Sequence, residues 1–197
     1  GGVRAIAAQS LGAIDDPFRV EPLIAALRDP EPPVRALAAQ ALVHARDPRA
    51  VRPLVAALRD REKAVRAFAA LALGGTRDPH ALEPLIAALN DRTPAVRASA
   101  AQALGQLGDK RAVPALIVAL RQEHRRRPPA PVGPDTIEFD FRYPLVGGQP
   151  GERVGFITSY EPKDVRTALV DALKQITGQD LGDDPDRWQQ WWEGGGG

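Results

Sequence analysis

Apolar positions recur along the first two thirds of the chain in two alternating patterns. In one, Val20, Leu23, Ile24 and Leu27 stand at i, i+3, i+4 and i+7, which is one face of an α-helix. Val51, Leu54, Val55 and Leu58 copy that face, as do Leu82, Leu85, Ile86 and Leu89, and then Val113, Leu116, Ile117 and Leu120. The other pattern is a stripe of Val34, Leu37, Ala38, Ala41 and Leu42, copied by Val65, Phe68, Ala69, Ala72 and Leu73. This second helix is rich in alanine nearly all round, as suits a helix packed closely between neighbours. Polar positions keep the same beat. Val3-Arg4, Val34-Arg35, Val65-Arg66 and Val96-Arg97 recur with a spacing of 31, and so do Asp16, Asp47, Asp78 and Asp109. A fixed period of about 20–50 residues marks a stacked repeat. Two helices per unit, each with an apolar face it cannot bury alone, are stabilised by stacking on the next unit.

Turn chemistry agrees with this division. Asp47-Pro48 and Asp78-Pro79 read as an N-cap followed by proline at the first helical position. Pro22, Pro53 and Pro84 lie deeper, so the regular part of each first helix is expected to begin close to them, after a one-turn lead-in. In the fourth unit the proline is displaced to Pro114. Gly74-Gly75 and the stretch from Gly105 to Gly108 supply helix ends.

The stretches 47-DPRAVRPLVAALRDREKAVRAFAALALGG-75 and 78-DPHALEPLIAALNDRTPAVRASAAQALGQLGD-109 resemble the HEAT-repeat family, an armadillo-type helical architecture, in its short bacterial form related to phycobilisome-lyase-type repeats. The resemblance covers residues 3–122 and 162–178. It is specific for fold and nearly silent about function. Asp29/Arg35, Asp60/Arg66 and Asp91/Arg97 stand six apart across the turn between the two helices. One reading is an arginine stripe for phosphates. The reading that the resemblance and the one-to-one pairing favour is a structural ladder, with each Asp accepting from the Arg of its own unit or of a neighbour.

The repeat breaks after Leu120. In complete units, the last leucine of the first helix precedes the valine of Val-Arg with a spacing of seven: Leu27 to Val34, Leu58 to Val65, Leu89 to Val96. From Leu120 the next such pair is Val165-Arg166, a spacing of 45, so the turn carries an insertion of 38 residues. The second-helix stripe then resumes as Val165, Ala168, Leu169, Ala172 and Leu173. Inside the insertion Ile137, Phe139, Phe141 and Tyr143 alternate with Glu138, Asp140 and Arg142, and Val154, Phe156 and Thr158 alternate similarly. Period two predicts a β-hairpin over residues 128–161. Such a hairpin is marginal alone, so its aromatic face is expected either on the solenoid or against a protein partner.

Arg121, His124 and the run Arg125, Arg126 and Arg127 precede the insertion. Three readings stand for this run: contact with nucleic acid, contact with an acidic protein, or a solvated helix end favoured by the helix dipole. At the other end, Asp184-Pro185 reads as a cap, and Trp188, Trp191 and Trp192 fall at i, i+3 and i+4. The simple reading is a helix that closes the last unit; a tryptophan-based ligand site is the alternative.

Composition adds exclusions. With 26 Lys and Arg against 25 Asp and Glu, the net charge of +1 gives no global argument for a polyanionic partner. There is no cysteine, hence neither disulfide nor thiolate-bound metal. No apolar run of about 18 residues predicts a membrane span, and no signal peptide is visible. The chain has no methionine and starts at Gly1, which reads as a fragment or processed product that could have lost a targeting segment; a cytoplasmic site is weakly favoured. His44, His80 and His124 share no repeat position, no Ser/His/Asp set is suggested, and Asp183, Asp184 and Asp186 read as caps. No catalytic residue, cofactor or metal ligand is assigned.

The expected fold is all-α: a right-handed α-solenoid of antiparallel helical hairpins, with a β-hairpin insertion in the last repeat and a Trp-rich C-terminal capping helix. Residues 1–178 form the solenoid, 179–193 the capping segment and 194–197 a glycine tail. The expected function is a scaffold that binds a protein partner, with nucleic acid and membrane insertion disfavoured. Its candidate contacts are Arg125, Arg126, Arg127, Phe139, Phe141, Tyr143 and Phe156. A second set is expected along one line of second helices, where Gln40, Leu71 and Gln102, with Gln9, hold equivalent positions. Asp29, Arg35, Asp60, Arg66, Asp91, Arg97 and the three tryptophans are assigned to structure. The alternative is a HEAT-like enzyme or nucleic-acid module of the DNA-glycosylase or bilin-lyase kind.

Overall fold

A computed structural model describes residues 2–14, 16–126 and 164–196. The segment read as the inserted hairpin lies outside the described residues, as do Arg127, Phe139, Phe141, Tyr143 and Phe156. The described residues form helices in the order α1 (Gly2–Ala13), α2 (Val20–Ala26), α3 (Pro32–Ala45), α4 (Val51–Ala57), α5 (Lys63–Thr76), α6 (Leu82–Ala88), α7 (Pro94–Leu107), α8 (Val113–Arg125), α9 (Val165–Thr177) and α10 (Pro185–Trp191). Helices α2, α4, α6 and α8 are the first helices of their units, and α3, α5, α7 and α9 the second.

Each first helix is preceded by one 3₁₀ turn: Pro17–Arg19, Pro48–Ala50, Pro79–Ala81 and Lys110–Ala112. The repeated aspartate starts it. Asp47 accepts from the backbone N–H of Arg49 at 2.9 Å, and Asp16, Asp78 and Asp109 do the same for Phe18, His80 and Arg111. The α-helix then begins at Val20, Val51 or Leu82, so Pro22, Pro53 and Pro84 sit at its third residue. The first four N–H groups of a helix have no intrahelical acceptor, so a proline there sacrifices no bond.

Second helices pack directly on one another, α1 on α3, α3 on α5, α5 on α7 and α7 on α9, whereas successive first helices barely meet. The tightly spaced row is therefore the inner side of the stack, and grooves open between helices of the outer row. Alanine makes the close spacing possible: Ala36, Ala38, Ala39, Ala67, Ala69, Ala70, Ala100 and Ala101 are all buried. At three of the four places of one repeat position, the exception being Val43, glycine brings the helices closer still. A Cβ on Gly74 would lie 2.6 Å from the Ala103 Cα, and Gly12 and Gly105 approach Ala41 and Ala172 in the same way. Leu23, Leu54, Leu85 and Leu116 of the first helices fill the layer between the rows. Each buried leucine contributes about 1.5–3 kcal/mol relative to its exposed state.

α1 is a second-type helix whose own unit has no first helix among the described residues. Val3 is 75% exposed and Ile6 41%, where the equivalent Val65 and Phe68 are 0% and 3% exposed. Despite the 38-residue insertion, α9 packs on α7 and α8 in the register of the earlier units, and Val165 is buried like Val34. No helix among the described residues is long and apolar enough to cross a membrane.

Candidate functional site

The repeated Val-Arg arginines start the second helices and point across the turn. The guanidinium of Arg66 donates through Nε to Asp91 Oδ2 at 2.8 Å and through Nη2 to Asp91 Oδ1 at 3.1 Å, a fork on a carboxylate 25 residues ahead. Its Nη1 donates to the backbone carbonyls of Asp60 and Arg61, at the end of the preceding helix of its own unit. Arg35 repeats this with Asp60 at 2.7 and 2.9 Å and with the carbonyls of Asp29 and Pro30. Arg4 donates to Asp29 at 2.6 and 3.1 Å. Of the two pairings the sequence allowed, the carboxylate bond runs between units. Within a unit the same arginine binds the backbone of the residue six before it.

Each such arginine thus does two jobs: it caps the carbonyl end of one helix and ties its unit to the next. The bidentate geometry is one that guanidinium supplies and lysine does not. Burial works to raise the carboxyl pKa of Asp60 and Asp91. The bonds from Arg35 and the Glu62 N–H to Asp60, and from Arg66 and the Thr93 N–H to Asp91, outweigh it and hold both below the ordinary 3.8. Asp29 is lowered chiefly by the bond from Arg4.

At the last rung the partner changes. Arg97 donates to Glu123 at 2.8 and 3.3 Å, because α8 runs on where the earlier first helices end and brings a glutamate to that place. Glu123 also pairs with Arg126 at 2.9 Å, and its carbonyl accepts from Arg166 at 3.2 Å. Arg121 donates to Asp186 at 2.8 Å, and His124 Nε2 lies 3.7 Å from Asp183. Two of the cations before the insertion are therefore bound to carboxylates. Arg125 is exposed, with no side-chain partner among the described residues.

Two of the four equivalent inner-row positions come together. Gln9 and Gln40 line a groove of about 170 Å³ between α1 and α3, with Leu37 and His44. Leu71 corrects the expectation of an exposed line. It is only 6% exposed: on α5, which packs against α3 and α7, the apolar side chain joins the core where glutamine keeps its amide partly in water. Gln102 is half-buried on α7.

At the C-terminal end α10 packs on α8. Trp188 is fully buried, and its indole Nε1 donates to the carbonyl of Gly182 at 2.8 Å. Trp191 meets Trp188 edge-on at 6.3 Å between centroids, and Trp192 lies 6.4 Å from Trp191. Both are half-buried against the core. Sequence reasoning missed Arg19, which is buried and donates to the carbonyls of Gly12 and Ile14. Its repeat equivalents are Ala50, Ala81 and Ala112, and that departure was a signal present in the sequence. Among the described residues no group of three or more His, Asp or Glu is placed to hold a metal ion.

These features, a 31-residue hairpin stacked through an Arg–Asp tie, define a helical repeat protein. The HEAT repeats family profile matches residues 2–62 and 51–128, and the chain belongs to that family. Among solved structures it is similar to a chain in the complex of CpcE and CpcF of phycocyanin lyase from Nostoc sp. PCC7120. The identity is 28% over 86% of this chain and 60% of that chain, with a TM-score of 0.57. It thus spans about three fifths of that relative's length. It is also similar to an engineered protein, at 24% identity over 58% of this chain and 61% of that chain, with a TM-score of 0.45. No curated protein matches.

Proposed function

We propose that the chain is a protein-binding scaffold, engaging its partner through the solenoid surface and the segment 128–161. The observation that carries this is the stack itself. Its repeated arginines and buried leucines are spent on joining units, and what varies from unit to unit is exposed side chains on a continuous surface. The likeness to a chain solved within a two-protein complex supports the same reading. Residues 1–178 act as one binding body, and the inserted segment, read as a β-hairpin, adds an aromatic face to it. Residues 179–193 act as a cap, supported by the burial of Trp188 against α8. Trp188→Ala is then expected to cost about 3–5 kcal/mol in urea unfolding; an unchanged midpoint would remove the cap.

The binding test is affinity capture by the intact chain and by a variant lacking 128–161, followed by reconstitution from purified components. A partner that re-forms a complex with the intact chain and binds the deletion variant more weakly supports the scaffold. Failure to reconstitute any complex sinks it. A second reading, participation in bilin attachment to phycocyanin, is favoured by the same relative. Its test is covalent chromophore transfer to phycocyanin subunits, read by absorbance after denaturation.

A further inference from the structure

Because successive first helices hardly meet, a groove of about 420 Å³ opens between α2 and α4. Leu27, Pro53 and Ala57 form its floor, and Arg28, Arg49 and Arg52 stand around it. Arg49 is held by Asp47 at 2.8 Å and Glu21 at 3.2 Å. Asp60, the carboxylate on the groove wall, is taken by Arg35 at 2.7 Å. Arg28 and Arg52 are exposed, and neither guanidinium makes a hydrogen bond or ion pair among the described residues. The groove therefore presents two uncommitted cations beside apolar surface, while the carboxylates nearest to it are already bound.

This arrangement is not a property of the repeat. The position of Arg52 is Glu21 in the unit before, Glu83 in the unit after and Pro114 in the last; the position of Arg28 becomes Arg59, Asn90 and Arg121. The neighbouring groove between α4 and α6 is lined by Arg49 and Arg52 again, together with Val51, Val55, Asp78 and His80. Arg28 joins Arg49 and Arg52 in the groove between α2 and α4. Where the stack needs a charge, as at Arg35 and Arg66, the residue type repeats; at Arg52 it does not.

We infer that the α2–α4 groove is the docking site for an acidic segment of the protein partner, with carboxylates on Arg28 and Arg52 and an aliphatic side chain on the floor. The inference deepens the scaffold reading and rests on it. Protein fits better than nucleic acid, because a phosphate backbone is recognised by a run of cations along its length. Beyond this groove the outer row sets Glu83 and Asn90 between Arg59 and Arg121, so its cations do not form such a run.

The test is fluorescence anisotropy with a short labelled peptide of aspartate and glutamate around a central leucine. Binding should weaken by at least about tenfold, or roughly 1.4 kcal/mol, in Arg28→Glu/Arg52→Glu. The charge-matched variant Arg59→Glu/Arg92→Glu should change it by less than about twofold, which separates the groove from net charge. Equal weakening in both variants, or no binding to the intact chain, overturns the inference. So does equal competition by a single-stranded oligonucleotide, which would mark a general polyanion surface. Reconstitution of the identified partner with Arg28→Glu/Arg52→Glu separates the two proposals: unimpaired complex formation removes the groove and leaves the scaffold standing. Circular dichroism of each variant checks that the exposed substitutions leave the fold intact.

Discussion

Two groups of arginines lie only a few residues apart on this molecule, and they serve opposite ends. Arg35, Arg66 and Arg97 start the second helices; each holds a carboxylate from the next unit and the carbonyls of its own turn. Arg28 and Arg52 stand on the outer helices with no such bonds. The residue type is the same and the formal charge is the same. What differs is the neighbour. A guanidinium with its donors satisfied between two units adds to stability and offers nothing to a ligand. One in water contributes little to stability and keeps its donors for a partner.

The strongest way to break this division is to release a ladder arginine. Asp91→Ala removes the acceptor of Arg66, whose side chain is only 6% exposed, and leaves a largely buried cation without its carboxylate. We expect a loss of about 2–3 kcal/mol by urea unfolding. At the same repeat position Arg4 is 53% exposed, so Arg4→Ala should cost less than about 1 kcal/mol. The apolar residue beside each arginine sharpens the same point. Val65→Ala removes buried methyl groups and should cost about 1.5–2 kcal/mol. Val3→Ala at the open face of α1 should stay within about 0.5 kcal/mol.

Acid provides a graded version. The pKa values of Asp60 and Asp91 are lower in the folded chain than the ordinary 3.8. Their contribution is therefore fully present above that value and is lost as pH falls through the lower, folded values. Unfolding free energy should be steady from about pH 7 to 5 and fall below about pH 4. Asp91→Asn should make that fall shallower, because asparagine has no proton to take up. Arg28→Gln/Arg52→Gln should leave its shape unchanged. The smallest effect belongs to Arg52→Ala, within about 0.5 kcal/mol at neutral pH.

Much of the architecture was legible because the repeat states it several times. Leu54, Leu85 and Leu116 read as core from period alone, and they are. Asp47 and Asp78 read as caps and accept the N–H bonds that caps accept. The ladder was half legible. Sequence spacing showed Asp and Arg six apart, but spacing within one unit carries no information about how units are offset, and the 25-residue reach of Arg35 to Asp60 depends on that offset. Leu71 shows the reverse case. Its repeat equivalents are glutamines, so it looked like a surface position, yet its side chain is buried with the core. Arg19 and Glu123 were missed because each stands where the repeat is irregular, one behind α1 and the other on the extension of α8. The groove residue Arg52 carried a signal of the same kind, a departure from the period, which becomes meaningful once the spacing of the outer helices is known.

The division between arginines that join units and arginines left in water is tested most directly by urea unfolding of Arg66→Gln and Arg52→Gln, matched in charge and side-chain length, in one buffer at neutral pH. A midpoint clearly lowered in Arg66→Gln and unchanged in Arg52→Gln is the expected result. Equal midpoints would contradict it.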